Sequence, residues 1–187
     1  MSPILTGIVA SGISGHLTPP YDGPYGAYDA LATVTLSTAT SSITFAGIPS
    51  GYKHLQIRAI GKPTVAGGQE VYVRYNGDSA ATSYYSHQLY GNGTTAIGAS
   101  YGTVNQAYIT YWSGSEFGSF VCDILDYSNT NKNTTLRALG GHDLNSSGYI
   151  LLRSGLWINT AAVTSINLFS SSGNFATNSS FALYGVK

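Results

Sequence analysis

From Asp29 onward, apolar and polar side chains alternate with a period of two, and no window carries an i, i+3, i+4, i+7 stripe. Leu55, Ile57 and Ala59 would face one way, and His54, Gln56 and Arg58 the other. Val71 and Val73 alternate with Glu70, Tyr72 and Arg74, and Asn76-Gly77 then gives a strong hairpin signal. Leu31, Thr33 and Thr35 alternate with Ala32, Val34 and Leu36, and Ile43 and Phe45 follow after a Ser/Thr turn. Further strands are predicted over 83–90, 106–112, 119–127, 134–139, 149–153, 156–159, 164–169 and 181–186. Stretches rich in Gly, Asn and Ser predict loops over 91–101, 128–133, 140–148 and 170–180. Roughly eleven short strands with frequent turns predict an all-β fold. We expect a two-sheet β-sandwich over residues 29–187, most naturally a jelly roll, with Lys187 beside the body. A propeller or β-helix would need an internal repeat, and the sequence has none.

Residues 1–28 read differently. Pro3, Pro19, Pro20 and Pro24, with five glycines, leave neither a helical nor an alternating period. Yet Ile4, Leu5, Ile8, Val9, Ile13, Tyr21, Tyr25 and Tyr28 are costly choices for a solvated tail. Disordered segments are usually poor in such residues. The segment is therefore expected to be an extended arm whose apolar and tyrosine side chains lie on a neighbouring subunit.

Charge narrows the function. Only 9% of residues are charged, and eight Lys/Arg balance eight Asp/Glu. A nucleic-acid binder needs clustered basic residues to displace counterions, so no nucleic-acid partner is expected. The exposed surface must instead consist largely of Ser, Thr, Asn, Gly and Tyr. No Lys or Arg precedes Lys53, so the positive start of a secretory signal is missing. The apolar run from Ile4 to Ile13 is far short of the roughly 20 residues that cross a bilayer. Synthesis in a cytoplasm and no membrane partner are expected. A single cysteine, Cys122, precludes an internal disulfide and is read as a small core residue.

Candidate chemistry fails on context. Gly98-Ala99-Ser100-Tyr101-Gly102 fits the string of a nucleophile elbow, but no helix is predicted after it. The glycine string that starts at Gly91 lacks the helix that would hold a pyrophosphate. Asp123 and Asp126, three apart on a strand, would point to opposite faces and could not act as a facing pair. Asp78 reads as turn chemistry. His142-Asp143 is the most site-like pair, but a metal would need further donors, and the nearest histidine in sequence is His87. Trp112 and Trp157 could stack on sugar rings or fill the core. The expectation is no enzymatic role, no cofactor and no metal.

The stretches TSSITFAGIPSGYKHLQIR (Thr40 to Arg58), RYNGDSAATSYYSHQLYGNGTT (Arg74 to Thr95) and NSSFALYGVK (Asn178 to Lys187) carry a resemblance. With the opening VASGISGHL, they resemble a group of small β-rich virion structural proteins of tailed bacteriophages. The resemblance implies a capsid decoration (cement) protein that binds and stabilises the shell, or a tail-associated protein that binds a host-surface carbohydrate. A compact β body, an adhesive arm and a neutral surface suit the cement role better than a fibre shaft, which would need heptads. The implied partners are the major capsid protein or other virion proteins, with copies grouped as trimers. The implied location is the virion, assembled in the host cytoplasm.

Overall fold

The computed structural model describes residues 26–187. Ile4, Leu5, Ile8, Val9, Ile13, Tyr21 and Tyr25 of the expected arm lie outside the described residues. In chain order the strands are β1 (Tyr28–Thr35), β2 (Ser42–Ala46), β3 (His54–Gly61), β4 (Gly68–Tyr75), β5 (Tyr84–Gly91) and β6 (Ala96–Val104). They continue as β7 (Ala107–Ser113), β8 (Gly118–Leu125), β9 (Thr134–Asp143), β10 (Gly148–Trp157), β11 (Ser165–Ser170) and β12 (Ser180–Val186). Among the described residues there is no helix.

The strands form two antiparallel sheets packed as a sandwich. The large sheet has the order β1-β12-β3-β8-β9-β10-β5-β6, and the small one β2-β11-β4-β7. Four pairings are nested: β1 with β12, β2 with β11, β3 with β8, and β4 with β7. This is one long antiparallel hairpin rolled up, with β12 closing on β3 and β11 on β4. Such winding is the jelly roll. Two excursions enlarge it. The β5–β6 hairpin leaves between β4 and β7, and the β9–β10 hairpin between β8 and β11. They join along β10 and β5 and widen one sheet from four strands to eight.

Alternation decides which side chains enter the core. Leu55 and Ile57 are fully buried on β3, whereas Arg58 and Ile60 face solvent. Trp112 packs on Phe120 at 5.5 Å between centroids and on Phe175 at 6.1 Å, binding β7 to the large sheet. Trp157 meets Tyr75 at 5.5 Å. Cys122 is buried and unbonded, and burial pushes its thiol pKa well up, as fits a small core residue. Lys187 lies beside the body: its amide donates to the Ala27 carbonyl and its ammonium pairs with Asp29 at 3.0 Å.

Five local expectations need correction. Asn76 and Gly77 do form a turn, both with positive φ, and the Asp78 amide donates to the Tyr75 carbonyl. The turn does not make a β4–β5 hairpin, because both edges of β4 are taken by β11 and β7; β5 crosses to the other sheet. The predicted loop over 91–101 contains most of β6, held by its pairing with β5. The predicted loop over 140–148 begins inside β9, which runs to Asp143. Gly141 sits there at φ +153, and a Cβ would lie 1.9 Å from the Tyr149 carbonyl oxygen. Finally, the runs over 149–153 and 156–159 are one strand, β10, continuous through Gly155. Tyr28, read as the last arm residue, opens β1 opposite Val186.

Candidate docking face

Small-sheet strands cover most of the inner face of the large sheet; the outer face has no covering layer among the described residues. Its outward positions carry a band of aliphatic side chains. Val121 on β8 is the register partner of Leu139 on β9, which pairs with Leu152 on β10, which pairs with Leu89 on β5. One step along the strands, Ile60 and Ile150 flank Ser119 and Gly141. These six aliphatic residues are between 40% and 64% exposed. Cross-strand neighbours this close make a contiguous patch, unlike the scattered single leucines of an ordinary surface. The small side chains of Ser119 and Gly141 leave a shallow groove of about 1040 Å³ between Ile60, Phe117 and Ile150.

The chain enters the body beside this band. Arg58 is the register partner of Val121, and its guanidinium lies 5.2 Å over the Tyr28 ring and 5.1 Å over the Tyr184 ring. Tyr28 and Tyr184 meet edge to face at 6.4 Å. β1 therefore opens at the margin of the apolar band, with Tyr28. Of the arm side chains singled out in the sequence, Tyr28 is the one within the described residues, and it is exposed.

The other singled-out residues are dispersed. Ser100 lies mid-strand in β6 opposite His87, and the whole Gly98–Gly102 string is extended. His142 is buried on the inner face, its Nδ1 3.1 Å from the Tyr111 carbonyl oxygen, while His87 is exposed on the outer face. Asp123 accepts from Gln56 Nε2 at 2.7 Å. Asp126 is held by Lys132 and Lys53, and these bonds lower its carboxyl pKa to about 2. Among the described residues, no three His, Cys, Asp or Glu side chains come together as a metal site. Trp112 and Trp157 are buried, which removes both from any sugar-stacking role.

Asp78 is a structural anchor. It accepts from Trp157 Nε1 at 2.8 Å, the Ala80 amide at 3.0 Å and Ser83 Oγ at 2.8 Å. Burial acts to raise its pKa, but the bonds from Trp157, Ala80 and Ser83 outweigh it and the net shift is downward. A lowered folded-state value means that the contribution is complete above the ordinary Asp value of 3.8 and fades as pH falls through the folded value. Asp78→Ala should cost about 2 kcal/mol at neutral pH by orphaning the indole N–H. Thermal melts across the acid range should show a flatter pH dependence in the variant; an unchanged slope would contradict this role.

No protein-family model matches the chain, and no curated protein matches it in sequence. The aliphatic band went unread in the sequence because alternation with apolar residues on both faces looks the same as a doubly covered strand.

Proposed function

We propose that this protein is a structural protein of a tailed-phage virion, a capsid decoration protein that docks through its outer sheet face and N-terminal arm. The contiguous band Val121–Leu139–Leu152–Leu89 carries this reading, on a body with almost no charge to oppose close neighbours. The fitting occupant is an apolar, uncharged surface of the major capsid protein or another virion protein.

Magnitudes argue that face and arm act together. Completing the burial of six half-exposed aliphatic side chains is worth roughly 1 kcal/mol apiece. Association costs about 4–15 kcal/mol in lost rigid-body freedom, so the face alone is marginal. Ile4, Leu5, Ile8, Val9 and Ile13 would add apolar area from the segment that precedes Tyr28, itself at the band's margin. Repetition over a lattice then turns a modest contact into a stiffened shell.

Deleting residues 1–20 should leave the β body folded and abolish or greatly weaken its attachment to the particle. Recombinant chains with and without these residues would be added to particles lacking the protein, and bound density located by electron microscopy. Full occupancy and shell stability without the arm would refute the latch. Density on the tail, with altered host adsorption and an unchanged shell, would replace the capsid reading with the tail-associated one.

A further inference from the structure

The small sheet stops at β7, while the large sheet continues through β9, β10, β5 and β6. β7 lies on β9 and β10 and meets the start of β5, where Ser86 Oγ accepts from the Tyr108 amide, so the inner face of β6 and of the far end of β5, at Gln88 and Tyr90, runs on past its edge. A trough results, with β7 and β4 as one wall and the β10–β5–β6 side as the other. We propose that this trough binds a neutral saccharide, on the face of the large sheet opposite the aliphatic band.

Tyrosines line both walls. Tyr101 of β6 stacks on Tyr108 of β7 at 4.2 Å and 10°, and Tyr72 of β4 meets Tyr108 edge-on at 4.9 Å. Towards the other end, Tyr111 meets Tyr149 at 5.4 Å, and Tyr149 meets Tyr90 at 5.9 Å. Five of these six rings are half-buried and Tyr149 is exposed. Glu70 and Arg153 lie among them in a two-point ion pair. Burial raises the phenol pKa of Tyr72, Tyr101 and Tyr111, and the Glu70 carboxylate adds to the rise in all three.

Polar capacity remains unused here. Gln88, the register partner of Arg153, donates from Nε2 to the Tyr101 hydroxyl, but its buried Oε1 has no partner. The Nε of Arg153 is buried and equally unpartnered. Buried groups left this way normally have a ligand or water to satisfy them. Sugar rings match the mixture: their C–H faces pack on phenol rings, and their hydroxyls both donate and accept. Arg153 is already matched by Glu70, and Arg74, the other cation on this side, donates to the Asn105 carbonyl and Gln106 Oε1 and packs over the Phe169 ring, so neither guanidinium is turned to a phosphate, sulfate or uronate. That selects a neutral sugar. The site is independent of the docking reading, and a docked protein would present the trough away from its support.

The test is affinity electrophoresis of the full chain through gels containing dextran, mannan or galactan. The retarding polymer's oligosaccharide would then be titrated calorimetrically. Retardation by at least one polymer is expected. Tyr101→Ala should weaken binding about tenfold, the scale of one lost aromatic contact. Tyr149→Ser, at an exposed position, provides a second variant if Tyr101→Ala unfolds. Far-UV circular dichroism checks each fold. No retardation by any of the three, or unchanged affinity in folded variants, would overturn the proposal. Retention of a proline-rich peptide in place of every saccharide would overturn it as well.

Discussion

Glu70→Ala should destabilise the fold by about 3 kcal/mol, the largest loss expected from any single polar substitution in this protein. Arg153 projects from β10 with its side chain 1% exposed, and both Nη atoms donate to the Glu70 carboxylate on β4. Removing the carboxylate leaves a buried guanidinium with no counter-charge. The value sits at the low end of about 3–5 kcal/mol because the Glu70 side chain is itself 21% exposed. Removing the cation instead is milder. Arg153→Met should cost about 1 kcal/mol, and Glu70→Leu combined with Arg153→Met should return most of the stability. Urea titrations of the three variants check this asymmetry. Equal losses from both single substitutions would show that packing, and not charge matching, is what the pair contributes.

The second large effect is on docking. Leu139→Asp with Leu152→Asp places two carboxylates at adjacent register positions in the middle of the aliphatic band. Both positions are more than half exposed, so the fold should survive, at a cost of about 1–2 kcal/mol that includes repulsion between the two facing carboxylates. On the proposed docking reading, binding loses two apolar contacts and must desolvate two charges, a weakening of at least about a hundredfold. Co-sedimentation of the folded variant with particles would measure it. Near-normal co-sedimentation would remove the outer face from the interface and leave the arm alone.

Much of the architecture was legible in the sequence. On β3, β4 and β8 one face is buried and the other wet, so alternation betrays them. β6 was not legible, because Ala96, Gly98, Ser100 and Gly102 carry no pattern and owe their strand geometry to β5. Gly155 split β10 in the reading, yet it marks close packing: a Cβ there would crowd Leu136 at 3.0 Å and Ala107 at 3.2 Å. The turn at Asn76-Gly77 was readable as backbone geometry but not as a connection, since pairing partners are decided far along the chain. The same limit hid the trough. Tyr101, Tyr108 and Tyr72 come from three strands, and only the rolling of one sheet past the other brings their rings together.

The nested pairing also governs how the molecule comes to exist. β12 lies between β1 and β3, and β11 lies between β2 and β4, so neither of the first two strands can dock until the last two have been made. Pairings this remote in sequence fold slowly, on a scale of about milliseconds to seconds. Throughout that interval Ile43, Phe45, Ile57 and the aliphatic band are open to other chains, with zero net charge to keep those chains apart. Yield is thus set by a race between ring closure within one chain and collision between two. Synthesis at lower temperature or lower concentration would favour the first.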